Sequence, residues 1–170
     1  LATYEALVSA EYLASLNAPS EWSRKMMPHH RHMVRSPGRV LESRGSTVAG
    51  HAITVRFSPA AGAQEQLRRQ LHALVQDLPT RPGLAGAHLL QTDTPALAPT
   101  TEQQLRGLAD RAADWILVVT GYDVQVLRRL VEGELSAQAL QSVGAADGAI
   151  TATYGLRHSG SSTTTTTATI

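Results

Sequence analysis

Apolar patterns mark four strands in the part of the chain that follows residue 50. In HAITVRF, residues 51–57, the odd positions carry His, Ile, Val and Phe, and the even positions carry Ala, Thr and Arg. A period of two is typical of a strand with one buried face. The almost continuously apolar stretch DWILVVTGYD, residues 114–123, indicates a central strand. LAGAHLLQTD at 84–93 and GAITATYGLRH at 148–158 are also predicted to be strands.

Helical periodicity lies between these strands. AQEQLRRQLHALVQDL, residues 63–78, places four leucines and a valine on one face, which predicts an amphipathic helix. VQVLRRLVEGELSAQAL, residues 124–140, predicts a second helix with Gly133 as its weak point. The order over residues 48–158 is therefore β-α-β-β-α-β, which is the order of a ferredoxin-like unit. The predicted fold class is α+β, with ferredoxin-like repeats built on antiparallel sheets.

The beginning of the chain repeats part of this pattern. LATYEALVSAEYLASL and WILVVTGYDVQVLRRL both read as a strand, a tyrosine, an acid and then a helix that carries apolar residues on one face. Residues 1–47 are thus interpreted as the second half of a first repeat, 48–158 as a complete second repeat and 159–170 as a Ser/Thr-rich tail. A half-repeat of this kind needs about 50–70 residues, so we expect a longer natural polypeptide. We expect the tail to pack along a sheet edge or a neighbouring chain.

Composition excludes several classes of function. The formal net charge of +1 over 170 residues argues against broad binding of a phosphate backbone. The absence of cysteine excludes disulfides, thiolate metal sites and a cysteine nucleophile. No apolar run approaches the ~20 residues of a membrane span, and no phosphate-binding glycine loop or serine elbow is present. We expect a cytoplasmic protein that needs no cofactor and binds neither nucleic acid nor membrane.

The segment EWSRKMMPHHRHMVR, residues 21–35, concentrates three of the seven histidines. We expect no metal there, because no acid stands beside the histidines and four cations would repel a metal ion. The main interpretation is a polar rim that connects a helix to the next strand. Arg31 and Arg35 are the candidates for gripping a carboxylate or phenolate. Trp22 is a candidate pocket residue, with core packing as the alternative.

Candidate proton-transfer groups lie on the predicted strands. His51 and His88 are candidate catalytic acids or bases, although a histidine on an apolar face is more often a satisfied core residue. Tyr154 is the candidate proton donor to a substrate oxygen, and Tyr122 is a candidate substrate-binding residue. The alternative for both tyrosines is an edge position with the hydroxyl in water.

The chain resembles the EthD-like branch of the dimeric α+β barrel superfamily in its tandem, two-repeat form. The resemblance rests on YLASLNAPSEWSRKMMPHHRHMVR at 12–35, ITVRFSP at 53–59, GLAGAHLLQTD at 83–93, TEQQLRGLADRAADWILVVTGYD at 101–123 and the closing YGLRH. It implies two paired four-stranded sheets, with ligand clefts between each sheet and its helices. The first β-α-β of the tandem relatives, which bears a histidine, has no counterpart in this sequence.

Two classes of function follow from the resemblance and the residues. The first is a cofactor-free cyclase, isomerase or lyase that acts on a small apolar, oxygenated molecule through a histidine and an oxyanion-stabilising Tyr or Arg. The second is a non-catalytic ligand holder or assembly scaffold, and a haem-binding variant is a distant third. A cleft that holds His51 or His88 beside Tyr154 favours the enzyme, whereas a filled apolar cleft favours the scaffold. In either case we expect a homo-oligomer or pairing with a missing N-terminal segment, because an open sheet face must be covered.

Overall fold

The computed structural model describes residues 9–29, 38–92, 101 and 113–159. The chain divides into two compact units, one formed by residues 1–38 and 92–112 and the other by 39–91 and 113–170. The predicted strand at residues 1–6, the predicted loop at 94–112 (apart from Thr101) and the tail from residue 160 lie outside the described residues.

Two short helices form the described part of the first unit. Helix α1 spans Ala10–Asn17, and α2 spans Glu21–Met26 and continues as a 3-10 turn over Met27–His29. Each helix begins at a serine whose side chain accepts a hydrogen bond from the backbone N–H three residues on, Ser9 from Tyr12 and Ser20 from Ser23. The connection predicted as a polar rim thus contains a helix that periodicity did not reveal.

The second unit is built on one antiparallel sheet with the strand order β1-β3-β4-β2-β5. The strands are β1 Gly38–Gly45, β2 His51–Phe57, β3 Leu84–Thr92, β4 Trp115–Gly121 and β5 Ile150–Gly155. The helices are α3 Gln64–Asp77, α4 Val124–Glu132 and α5 Ala137–Ser142. Strands β2 to β5 with α3 and α4 have the ferredoxin-like order, and β1 adds an edge beside β3. The predicted α+β fold class and the central position of the 114–123 strand are confirmed.

Helices α3, α4 and α5 cover one face of the sheet, which we call the helix face. Alternate residues of β2, β3 and β4 meet the apolar sides of these helices in one core of fully or nearly fully buried side chains. Phe57 and Trp115 meet edge to face there, with ring centroids 6.4 Å apart. The core contains the predicted inward residues of α3, with Leu74 at its margin. Apolar packing therefore fills the space between sheet and helices.

The opposite side, the far face, presents the other residues of each strand in rows set by the pairing register. The first row, nearest the start of β2, is Gly86, Thr120, Ala52 and Tyr154. The second row is His88, Val118, Thr54 and Ala152. The third row is Leu90, Ile116, Arg56 and Ile150. An extra residue in β3 between Leu84 and Gly86 sets which of its residues reach this face.

The helix predicted over residues 124–140 is two helices, and this corrects the sequence interpretation. Helix α4 ends at Gly133, whose N–H donates to the Arg129 carbonyl, and α5 begins after Ser136. The Arg81 guanidinium holds the intervening turn by pairing with Glu134 at 2.6 Å and with Asp77 at 2.6 Å. The hydrogen bond that Arg81 donates to Glu134 is the main cause that raises the pKa of Arg81 above its ordinary value.

Candidate functional site

A cleft with a volume of about 490 Å³ lies at the end of the sheet where β2 begins and β4 and β5 end. Ala52, Thr120 and Tyr154, all in the first row of the far face, line it. Residues 47–49 and 155–159 form its remaining sides together with His51. The size falls within the range of ~300–1,000 Å³ that is usual for small-molecule pockets.

Two glycines let the chain cross the sheet and form one wall of this cleft. A Cβ at Gly45, where φ is +79°, would collide with the Ala85 carbonyl oxygen, and a Cβ at Gly86 would collide with the Ser46 carbonyl oxygen. The buried Thr120 hydroxyl donates to the same Ser46 carbonyl at 2.6 Å. Because the backbone passes directly over Gly86, the following residues reach the far face and enclose its first row.

His51 and Tyr154 line the same cleft and belong to opposite faces of the sheet. His51 lies opposite Gly155, and alternation places it on the helix face at the end of β2. Tyr154 lies opposite Ala52 on the far face, is 47% exposed, and has its hydroxyl 3.4 Å from the Thr54 hydroxyl. The strand ends here, so both residues border the cleft.

Basic side chains line the cleft. Arg157 carries a positive charge, His51 and His158 add imidazole groups, and the described lining residues include no aspartate or glutamate. A guanidinium forms charge-assisted hydrogen bonds to carboxylates and phenolates, and an imidazole can donate or accept a hydrogen bond. The cleft is therefore suited to a ligand with an acidic or negatively polarised oxygen.

His88 does not line this cleft. It lies in the second row of the far face, is 6% exposed, and has its Nδ1 2.7 Å from the Ser43 hydroxyl on β1. Its Nε2 is buried and has no hydrogen-bond partner among the residues that the structure describes. The structure thus separates the two histidines that the sequence offered as equivalent candidates.

Of the four predicted substrate-binding residues, the structure describes Trp22 and Tyr122. Trp22 is 70% exposed on α2 of the first unit, and Tyr122 is 68% exposed after β4, outside the cleft lining. Arg31 and Arg35 lie outside the described residues, as do His30 and His32. His29 ends the 3-10 turn and is exposed. Within the described ranges, no group of three His, Asp or Glu side chains is arranged to hold a metal ion.

Three polar residues of the far face were not singled out from the sequence. The Thr54 hydroxyl lies beside the Tyr154 hydroxyl, and the Thr120 hydroxyl donates to the Ser46 carbonyl. Arg56 is partly buried, and its Nε has no hydrogen-bond partner among the described residues. The sequence did contain an indication for Arg56, because an arginine on a strand with one buried face is unusual unless its side chain has a partner. The resemblance placed the ligand cleft between the sheet and its helices, but that space is filled by the core, and the open cleft is at the strand ends.

Comparison with known proteins supports the fold. No family model matches the sequence, and no curated protein is similar to it. An anthrone oxidase-like protein of known structure matches with a TM-score of 0.53 and 14% identity, over 88% of this chain and 68% of that chain. The heme-degrading enzyme of Listeria monocytogenes matches with a TM-score of 0.49 and 12% identity over 72% of each chain.

A regulator of staphylococcal pathogenesis matches with a TM-score of 0.49 and 11% identity, over 75% of this chain and 74% of that chain. At these identities the likeness concerns the fold alone, which is the ferredoxin-like α+β fold. No helix in the described ranges is both long and apolar enough to cross a membrane.

Proposed function

We propose that the cleft binds a small, largely apolar molecule with an acidic or carbonyl oxygen, and that His51 and Tyr154 move a proton on it without a cofactor. The observation that carries this proposal is that His51 and Tyr154 line one cleft. In the EthD-like setting implied by the sequence, the activity would be that of an isomerase, cyclase or lyase. Arg31 and Arg35 stay candidates for ligand contact.

Each residue has a defined part in the proposed chemistry. The His51 imidazole removes a proton from a carbon conjugated with the ligand carbonyl, and the electron pair of that C–H bond forms an enolate. The Tyr154 hydroxyl donates a hydrogen bond to the enolate oxygen, and the Thr54 hydroxyl lies beside it. Arg157 adds positive charge. Delivery of the proton from His51 to a different carbon of the conjugated enolate completes an isomerisation, so that no oxidant or reductant is consumed.

Anthrone is a rational first probe. The name of the anthrone oxidase-like protein suggests the compound, and its methylene group beside two aromatic rings is acidic enough to report proton removal. The experiment measures exchange of the methylene protons in deuterated buffer by NMR. We expect the protein to accelerate the exchange, and His51→Asn and Tyr154→Phe each to reduce the acceleration, since a positioned acid or base contributes about 10²–10⁴-fold.

Matched controls exist for both substitutions. His29→Asn and Tyr122→Phe alter an exposed histidine and an exposed tyrosine outside the cleft lining, and both should keep the full acceleration. Exchange at the buffer rate with the unaltered protein would contradict catalysis. Equal loss in the control variants would contradict the assignment of residues.

A second candidate is a non-catalytic ligand holder or assembly scaffold. The filled space between sheet and helices favours it, because no substrate can enter there. Two measurements distinguish this candidate from the enzyme. A ligand holder should bind anthrone, as shown by quenching of intrinsic fluorescence, but should leave the rate of proton exchange unchanged. We also propose that this chain self-associates, because an open sheet face must be covered. Native mass spectrometry tests it through assemblies at multiples of 18.1 kDa.

A further inference from the structure

The two edge strands of the sheet differ in the residues that protect their outer edges. Strand β1 carries charged side chains at Arg39, Glu42 and Arg44. Strand β5 has neither a charge nor a proline, and the uncharged stretch extends from Gly148 to Leu156. Charges, prolines and bulges are the features that keep an open sheet edge from pairing with another chain. Strand β5 therefore has the composition of an edge that pairs.

The backbone of β5 presents hydrogen-bonding groups on its outer side. The Leu156 N–H donates to the Gly50 carbonyl, so these two residues form a hydrogen-bonded pair of the β2–β5 ladder. By alternation, the even-numbered residues of β5 bond to β2, and the backbone groups of Thr151, Thr153 and Gly155 point outward. No described residue forms a hydrogen bond with these outward groups. The outer edge can therefore accept one more strand.

Opposite charges flank the uncharged strand. Asp147 precedes it, Arg157 follows it, and both side chains are exposed. The Asp147 Oδ1 accepts hydrogen bonds from Gln141 and from the Gly148 N–H, whereas its other oxygen has no partner among the described residues. A parallel copy of the strand would place like charges side by side, and an antiparallel copy places opposite charges together. The charges therefore favour a second copy of this chain in antiparallel orientation.

A two-fold axis at Ala152 gives a register that satisfies the backbone. With the axis perpendicular to the sheet, Ala152 lies opposite Ala152 of the partner copy, and Thr151 lies opposite Thr153. The hydrogen-bonded pairs then fall on the outward-pointing residues, and the two Ala152 residues form a non-hydrogen-bonded pair. Paired residues belong to the same face of the sheet, so the sheet continues across the axis.

The same register covers exposed apolar side chains. Ile150 and Tyr154 are 63% and 47% exposed in the single chain, and the register places each opposite the other across the axis. Side chains approach most closely in non-hydrogen-bonded pairs of this kind. The register also brings Asp147 level with Arg157 of the partner copy. A guanidinium has several N–H donors, so this ion pair leaves donors for a ligand in the cleft.

We propose that the outer edge of β5 pairs antiparallel with β5 of a second copy, with the two-fold axis at Ala152, to form one continuous sheet. This contact uses the edge of the sheet and is separate from any covering of the far face. It goes beyond the proposed proton transfer but borders the same cleft. Ile150 of the partner copy lies beside Tyr154, which lines the cleft.

Disulfide trapping tests the pairing directly, because the chain contains no cysteine. The Cα atoms of a non-hydrogen-bonded pair are about 4.5 Å apart, which is within the range that a disulfide spans. We expect Ala152→Cys in the full chain to form, under mild oxidation, a linked dimer of twice 18.1 kDa. Non-reducing electrophoresis and mass spectrometry measure it. Val40→Cys, exposed on the other edge strand, is the matched control and should stay unlinked.

Substitutions at Thr153 distinguish edge pairing from face pairing. Thr153→Pro removes an outward N–H, and it should reduce the trapping of Ala152→Cys by about tenfold or more. Thr153→Lys keeps the backbone, adds a charge at the edge and should also reduce trapping. Urea unfolding checks that both variants fold, and if the proline variant does not, the lysine variant decides. Trapping undiminished in the folded variants would place the contact on the far face and overturn the proposal.

Thr153→Cys tests the register. Two residues 153 across the axis are offset by two positions along the strands, about 7 Å, in addition to one strand spacing of about 5 Å. That separation exceeds the reach of a disulfide, so Thr153→Cys alone should trap poorly. Efficient trapping at residue 153 and not at residue 152 would overturn the register, and with it the proposal.

Charge reversal tests the ends of the paired strands. Asp147→Arg and Arg157→Asp should each slow the trapping of Ala152→Cys several-fold, and the two substitutions together should restore it. A double variant that is trapped no faster than the single variants would contradict the pairing of these two charges and overturn the register.

Two outcomes concern the other occupants and the proposed function. Trapping of Ala152→Cys at the rate of the Val40→Cys control would overturn the proposal, and trapping that appears only after removal of residues 160–170 would show that the tail occupies the edge instead. Loss of anthrone exchange with retained trapping would refute the proposed function alone. Retained anthrone exchange without trapping would refute the edge pairing alone.

Discussion

The two faces of the sheet are formed by the same strands, but they differ in the side chains that they bury. On the helix face, the buried residues form a single apolar core in which no polar group needs a partner. On the far face, His88 and Thr120 are buried, Arg56 is partly buried, and two of these three side chains hold an unpartnered nitrogen. The first arrangement provides stability. The second leaves buried polar atoms whose desolvation the described residues do not offset.

Truncation of neighbouring residues tests this contrast most strongly. Leu117 and Val118 are adjacent on β4, but Leu117 is fully buried on the helix face and Val118 is partly buried on the far face. We expect Leu117→Ala to lower the free energy of unfolding by about 3 kcal/mol, because it leaves a cavity in a closed core. Val118→Ala should cost less than about 1.5 kcal/mol, measured by urea unfolding. Equal losses would erase the distinction between the faces.

Substitution of Gly86, over which the backbone crosses, should have an intermediate effect on stability. A Cβ at Gly86 would collide with the Ser46 backbone, so we expect Gly86→Ala to destabilise by about 2 kcal/mol and to weaken ligand binding in the cleft. Gly50 is the matched control, because a Cβ there meets nothing within 4 Å. Gly50→Ala should change stability by no more than about 0.5 kcal/mol. A neutral Gly86→Ala would mean that the loop can move off the sheet at little cost.

The smallest expected change in stability comes from substitution of two arginines, Arg81 and Arg56. Arg81, which packs beside the helices, is paired with Asp77 and Glu134, and Arg56 has no described counter-ion. We expect Arg81→Leu to lower the free energy of unfolding by about 1 kcal/mol at low salt, and by less at high salt. Arg56→Leu should not lower it. Thermal unfolding at several salt concentrations measures both, and the same loss for both arginines would contradict the contrast.

The titration of Arg81 should not make the effect of Arg81→Leu depend on pH near neutrality. Its carboxylate partners raise the pKa of Arg81 in the folded state above its ordinary value. A raised pKa contributes stability that is fully present below the unfolded-state pKa and is lost only as the pH rises through the folded-state pKa. The ordinary pKa of an arginine already lies far above neutral pH. The titration of Arg81 therefore adds no change in the stability difference between about pH 6 and pH 10.

Periodicity predicted the elements that depend on local pattern. The alternation in β2, the apolar run in β4 and the apolar side of α3 each follow from burial of one face, and each was found where expected. Helix α2 was missed because its stabilising feature is a cap and not a stripe, although Ser20 followed by Glu21 is a recognisable start. The break at Gly133 was identified as a weakness, but the Arg81 contact that holds the turn joins residues 53 apart.

The candidate site was less predictable for a related reason. The sequence offered His51, His88 and Tyr154 alike as candidate catalytic residues, whereas the structure has His51 and Tyr154 in the lining of the cleft and His88 outside it. The face that His88 occupies depends on the extra residue in β3, and its partner Ser43 is 45 residues away. Neither local propensity nor periodicity carries that information. Arg56 could have been noticed as a charge on a half-buried strand, but its lack of a partner is visible only in three dimensions.

The pairing of β2 with β5 also affects when the sheet can be completed during synthesis. The hydroxyls of Thr54 and Tyr154 meet across 100 residues of chain. At ~5–20 residues per second, the ribosome needs on the order of 10 s to make the intervening segment. During that interval the β5-facing edge of β2 has no strand to pair with, and α3 is the first element available to cover its apolar side. We therefore expect the sheet to be completed late, in one slow long-range step that follows release of the last strand.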